Sequence, residues 1–291
     1  MDSRRSTRLV AAAFAAALVA AGCGGDDDAA IPLSGERETT TTEATTTTVA
    51  PAADGEGLQI LVTNDDGVGA AGIDALVAAL TEVEGVEVTV VAPAAQQSGT
   101  GGNATEGQLT ATPSQTAGGH EATAVDGFPA DTIRAAFEDQ GLTPDLVISG
   151  INEGQNLGPV VDVSGTVGAA RAAVRLGVPA LAVSQGTGDA PDYATAAELV
   201  VTWLEENRAA IAAGELPTDV VLNLNVPTCS TGEVRGTLEV ASATAGDPLA
   251  PSDCAATGEG FTDDVTAFAN GFATLTSVPV EPGPPAPPAA A

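Results

Sequence analysis

Asp65 and Asp66 stand side by side in Asn64-Asp65-Asp66-Gly67, which follows directly on the run Ile60-Leu61-Val62-Thr63. Two adjacent carboxylates at the end of an apolar run need partners, because burying unpaired charge is costly. Their hard oxygens suit Mg2+ or Mn2+. Taken alone, N-D-D-G is equally a set of turn formers. Three further segments carry similar donors. The small, polar stretch Ala92–Gly102 offers the Ser98 hydroxyl, and Ser149–Asn156 offers Asn152, Glu153 and Asn156. Ser164-Gly165-Thr166 opens a helical pattern, where Ser164 is a good N-cap and free amides attract phosphate. Each segment alone is ambiguous. Together they offer hard oxygen ligands and phosphate-binding amides at one expected sheet edge. A competing pattern, Gly67-Val68-Gly69-Ala70-Ala71-Gly72, matches the G-x-G-x-x-G dinucleotide fingerprint. Against it, the second strand ends at Ala92-Pro93 rather than at an acidic residue, and Asp65 and Asp66 would face the pyrophosphate.

These segments must be positioned by regular elements. Leu58–Thr63, Val86–Ala92, Ala122–Val125, Leu146–Ser149, Ala180–Ser184 and Val220–Val226 read as strands. Ala70–Glu82, Ala130–Asp139, Thr166–Leu176 and Tyr193–Ala212 read as helices. Continuous apolar strands alternating with helices predict a parallel sheet covered on both faces. The expected fold is therefore α/β, a three-layer α/β/α Rossmann-like sandwich, with ligands beyond the carboxyl ends of its strands. Thr237–Val280 breaks the alternation and is expected to form an antiparallel β extension.

The chain has 291 residues, 39 acidic side chains against 9 basic ones, and a net charge of −30. All nine basic residues are arginines. That balance argues against binding to a nucleic-acid polymer through a basic patch, and against adhesion to an anionic membrane by a basic surface. One His and three Cys are too few for a His- or Cys-built zinc site. Arg4, Arg5 and Arg8 precede an apolar run from Leu9 to Ala21 that meets Gly22-Cys23, the layout of a secretory signal. Ala20-Ala21-Gly22-Cys23 resembles a bacterial lipobox, which implies cleavage before Cys23 and lipid attachment to it. The expected location is then extracytoplasmic, as a membrane lipoprotein touching the bilayer only through its anchor, or otherwise secreted. Residues 23–57, acidic and Thr-rich, read as a disordered linker, residues 58–280 as the folded domain and residues 281–291 as a Pro/Ala tail. With Cys23 set aside, Cys229 and Cys254 remain, and outside the cytoplasm they are expected to pair.

The order I-L-V-T-N-D-D-G, V-V-A-P followed by S-G, P-D-L-V-I-S-G-I-N-x-G-x-N-L-G and S-G-T-V resembles the SurE family of survival-protein nucleotidases. Gly127–Asp131, Gly177–Ser184, Leu222–Pro227 and Thr262–Thr276 add further matches, so the likeness spans nearly the whole domain. The resemblance implies a metal-dependent phosphatase acting on nucleoside 5′- and 3′-monophosphates. It implies one divalent cation, Mg2+ or Mn2+, held by Asp65, Asp66, Ser98 and Asn152. Asn64 and Asn156 would line the same site, and Ser164, Gly165 and Thr166 would meet the phosphate. It also implies a homodimer or tetramer. A contrasting reading keeps the fold and the metal but not the catalysis, giving a nucleotide- or phosphate-binding lipoprotein.

Overall fold

A computed structural model describes residues 57–283 except Asp189. The signal segment, Cys23, the linker before Gly57 and the tail beyond Gly283 lie outside the described residues.

Nine strands form one sheet: β1 Leu58–Thr63, β2 Val86–Pro93, β3 Thr110–Gln115, β4 Glu121–Asp126, β5 Leu146–Glu153, β6 Ala180–Gln185, β7 Val220–Val226, β8 Thr237–Glu239 and β9 Ala273–Pro279. Their order is β3-β4-β2-β1-β5-β6-β7-β9-β8. The six strands from β4 to β7 are parallel, as their unbroken apolar runs require. Five α-helices accompany them: α1 Ala71–Thr81, α2 Pro129–Arg134, α3 Gly165–Arg175, α4 Tyr193–Ala212 and α5 Asp264–Ala269.

Helix α1 lays Ile73, Leu76, Val77 and Leu80 on one face of the sheet, the i, i+3, i+4, i+7 spacing of a one-sided helix. Val200, Leu204 and Ile211 of α4 join them over Ile60, Val62, Ile148, Leu181 and Val183. Ile133 of α2 and the α3 residues Val167, Ala170, Ala173 and Val174 cover the opposite face, over Leu61, Val91, Val147, Ala182 and Val221. The architecture is the three-layer sandwich expected from the sequence. Among the described residues no helix is long and apolar enough to cross a membrane.

Four details differ from expectation. Strand β5 runs on to Glu153, past the Ser149 expected as its end, because a register shift between Ser149 and Asn152 lets it resume pairing with β6. The helix expected over Ala130–Asp139 is the short α2 followed by a single π turn. Strand β3, the mainly exposed sequence T-A-T-P-S-Q, escapes apolar periodicity altogether and pairs antiparallel with β4. The C-terminal extension is mixed: β9 is antiparallel to β7, whereas the short β8 is parallel to β9, with α5 between them in the chain. Cys229 and Cys254 are bonded, with Cα atoms 5.6 Å apart.

Candidate active site

The chain adds β2 and β4 on one side of β1, then crosses to place β5 on the other. The carboxyl ends of β1 and β5 thus open the cleft at which α/β sheets bind ligands. Asn64-Asp65-Asp66-Gly67 leaves β1 there. Asn64, fully buried, donates from Nδ2 to the Gly67 carbonyl (2.9 Å) and accepts from the Gly67 N–H (3.2 Å). Gly67 turns at φ +99°, a value side chains resist. Both polar atoms of the Asn64 amide therefore bond to the turn, each with one hydrogen-bonding position left over. Asn64, expected to line the site, braces the turn that presents Asp65 and Asp66.

Asp65 is 3% exposed and lies against the start of α3. Thr166 Oγ1 donates to its Oδ1 at 2.6 Å. A Cβ on Gly165 would stand 2.8 Å from Asp65 Oδ2, so glycine is what permits the approach. Burial raises the Asp65 carboxyl from its ordinary 3.8 to about 6, against the lowering effect of the Thr166 hydroxyl, with the neighbouring Asp66 charge raising it further. The sequence reading assigned Gly165 and Thr166 to phosphate. Here Gly165 supplies clearance, while the hydroxyl and backbone of Thr166 serve Asp65. Ser164 caps α3 by accepting from the Val167 N–H at 3.2 Å, as its place before the helix predicted.

Asp66 is half-buried, and its Oδ2 accepts the Glu153 N–H from the end of β5 (2.9 Å). Burial raises its carboxyl too, opposed by that amide and by the Ser98 hydroxyl, while Glu153 pushes it up. Ser98 is exposed on the β2 loop beside Asp66. That loop is fixed by Gln97 N–H to the Asp65 carbonyl (2.6 Å) and Gly101 N–H to the Val163 carbonyl (3.0 Å). Further along, Thr105 donates its N–H and hydroxyl to the fully buried Asp131 of α2. Asn152, 7% exposed, turns its Nδ2 to the Gly154 carbonyl (2.5 Å), which commits its nitrogen and not its oxygen.

Asn156 is linked to Asp65 through Thr166. Its Nδ2 donates to Ser184 Oγ (2.9 Å) and to Thr166 Oγ1 (3.4 Å). Its backbone is gripped by two residues that the sequence reading noted only as part of a motif match, Asn223 and Asn225 of β7. The signal was legible. Two asparagines at i and i+2 point to one face of a buried strand, where amides are disfavoured and must find partners.

Asp65 and Asp66 form no ion pair among the described residues. The five described arginines are engaged elsewhere. Arg134, Arg171, Arg175 and Arg208 pair with Asp131, Asp162, Glu281 and Glu205, and Arg235 lies over the Phe272 ring. Nor do three or more His, Cys, Asp or Glu converge at one point among the described residues. Two adjacent carboxylates whose burial goes uncompensated by any described protein cation, with the Ser98 hydroxyl beside Asp66 and the Asn152 oxygen uncommitted next to Glu153 in the chain, fit one hard divalent cation of the Mg2+ or Mn2+ type.

Comparison with known proteins places the chain in a family. The family model for survival protein SurE matches residues 60–246. The chain is 40% identical over 185 residues to the 5′-nucleotidase SurE of Brevibacillus brevis, covering 62% of this chain and 70% of that protein. It is 40% identical over 183 residues to that of Methylococcus capsulatus, covering 62% and 68%. The crystal structure of the SurE protein from Aquifex aeolicus superposes with a TM-score of 0.62 at 28% identity, over 77% of this chain and 94% of that one. In this light the glycine pattern loses its dinucleotide meaning: Gly72 is the point where α1 packs on the Ile151 backbone and the Tyr193 ring. By matched length, motif order and fold, the chain belongs to the SurE family.

Proposed function

We propose that the protein is a divalent-metal-dependent phosphomonoesterase that hydrolyses nucleoside 5′-monophosphates, and 3′-monophosphates as well, outside the cytoplasm. The observation that carries this reading is the pair Asp65 and Asp66, buried and half-buried at the topological switch point without a cationic side chain between them. Asp65, Asp66, Ser98 and Asn152 would hold the cation. When bound, it polarises the phosphoryl oxygens and lowers the pKa of water, supplying a nucleophile near neutral pH.

The chain's own part is positioning. Asp65 Oδ1 is fixed by Thr166 and Asp66 Oδ2 by the Glu153 amide, so neither carboxylate needs to be ordered during the reaction. A carboxylate so held can orient the attacking water by accepting its hydrogen bond. With every described arginine occupied, backbone N–H groups and the cation carry the phosphate charge.

The Cys229–Cys254 bond supports an oxidising compartment, and the basic–apolar–Cys start of the sequence supports export with lipidation at Cys23. The test is phosphate release from 5′-AMP and 3′-AMP with Mn2+, with Mg2+ and with EDTA, beside Asp66→Asn. Metal-dependent release that disappears in the variant supports the enzyme. A folded, Mn2+-binding protein silent on both nucleotides and on a wider phosphoester panel leaves a non-catalytic binding protein. For the anchor, Cys23→Ser should move the protein from the membrane fraction to the soluble one.

A further inference from the structure

A strand on the far side of β6 reaches into the proposed cation site through a continuous set of hydrogen bonds. Asn225 of β7 is fully buried and uses its whole amide on one residue: Oδ1 accepts the Asn156 N–H (2.7 Å) and Nδ2 donates to the Asn156 carbonyl (3.1 Å). Asn223, two residues earlier on the same face, donates to that carbonyl at 2.9 Å. The Asn156 backbone is therefore held as a strand neighbour would hold it, although β7 already pairs along its length with β6 and β9. Nothing in sheet formation asks for buried amides here, and an apolar pair would avoid their desolvation. Their effect is to fix where Asn156 sits.

From that position the Asn156 side chain donates to Ser184 Oγ and Thr166 Oγ1, and Thr166 passes its single hydroxyl proton to Asp65 Oδ1. The direction of the last two bonds is forced. An ionised carboxylate only accepts, so Thr166 must donate forward and receive from Asn156 behind it. Removing the Asn225 clamp leaves the Asn156 N–H unheld and its carbonyl to Asn223 alone, so Asn156 can shift and Thr166 then has other orientations open to it.

We propose that Asn225 is a positioning residue for the cation site, acting through Asn156 and Thr166 to set the orientation of the Asp65 carboxylate. The proposal rests on the reading of Asp65 as a cation ligand. Groups that orient metal ligands from behind typically change metal affinity or activity by about 10–100-fold when lost.

The test is a double-mutant cycle on the purified full-length protein, with Asn225→Leu, Thr166→Val, the pair together, and Thr166→Ser. Three quantities are read for each: the Kd for Mn2+ by electron paramagnetic resonance, kcat and KM for 5′-AMP at saturating Mn2+, and the thermal midpoint. Asn225→Leu is expected to weaken Mn2+ binding by about tenfold and lower kcat, with KM within about twofold. In the Thr166→Val background the same substitution should change Mn2+ affinity by less than about threefold, because the route is already cut. Thr166→Ser, which keeps the hydroxyl, should stay within about threefold of the parent. A fall in thermal midpoint with unchanged Mn2+ affinity would overturn the proposal, as would two effects that simply multiply. Should Asn225→Leu fail to fold, Asn225→Ser is judged by the same criteria. If the parent binds Mn2+ but leaves 5′-AMP intact, the enzymatic reading fails while the affinity cycle still decides the role of Asn225. If the parent binds no Mn2+, both fall.

Discussion

Replacing Asp65 by Asn should make the metal-free protein more stable, and only in one pH range. Asp65 is 3% exposed and its carboxyl is raised from 3.8 to about 6, chiefly by burial. The folded chain thus binds this proton more tightly than the unfolded chain. Stability from this group is fully present below the unfolded value and is lost as pH rises through about 6. The difference corresponds to a penalty of about 3 kcal/mol at neutral pH, when the carboxylate is ionised and has no cation. Asn carries no charge at any pH and escapes it, while its Oδ1 can still accept from Thr166. At about 2–4 °C per kcal/mol for a domain of this size, Asp65→Asn should melt about 6–12 °C above the parent at pH 7.5 in EDTA. At pH 4 the gap should close, since the parent is then protonated as well. Excess Mn2+ should raise the midpoint of the parent and leave the variant unmoved, because only the parent keeps the full ligand set. Scanning calorimetry at the two pH values, with EDTA and with Mn2+, reads all of this. A variant melting at or below the parent at pH 7.5 in EDTA would refute the argument that Asp65 is a buried charge awaiting a cation.

Gly165→Ala is expected to push Asp65 out of place, since the new Cβ would stand 2.8 Å from its Oδ2; Mn2+ titration should show weakened affinity while circular dichroism shows an unchanged helix content. Reducing Cys229–Cys254 opens a 25-residue loop and should cost about 3.5 kcal/mol, read as a fall of about 10 °C in the thermal midpoint with dithiothreitol. Chelation should abolish inorganic phosphate binding as well as turnover, because no described arginine is free to hold the anion; calorimetric phosphate binding that survives EDTA would contradict this. Arg171→Met should cost about 3 kcal/mol without changing Mn2+ affinity, because the 2% exposed guanidinium ties Asp162 (2.7 Å) to the Pro279 carbonyl (3.0 Å).

The parallel core was legible because it is written in composition. Ile60-Leu61-Val62, Leu146-Val147-Ile148 and Ala180–Val183 are unbroken apolar runs, and only a strand covered on both faces uses such runs. The four chemical segments were legible for a related reason, since each follows directly on such a run or opens a helix. Strand β3 was not, because a mostly solvent-facing edge strand carries no apolar signature and is held by backbone pairing to β4. The parallel β8–β9 contact was hidden for the same cause: three residues, of which only Leu238 is partly covered, leave no pattern to read.

The sequence by itself offered Asp65, Asp66, Ser98 and Asn152 as hard oxygen donors, which the family resemblance groups around one cation, and it determined that a chain with nine arginines and 39 acids has little else to offer a phosphate. It also determined that Cys229 and Cys254 are suited to pair. Only the tertiary structure decided what each neighbour does with its hydrogen bonds. Asn64, which sequence placed along the site, hydrogen-bonds Gly67 through both atoms of its amide. Thr166, which sequence expected at the phosphate, gives its hydroxyl proton to a hydrogen bond with Asp65. Asn225, 160 residues further along the chain than Asp65, stands behind them both. A residue type fixes which bonds a side chain can make, but partners drawn from distant strands are chosen by packing, and a single hydroxyl proton can be given only once.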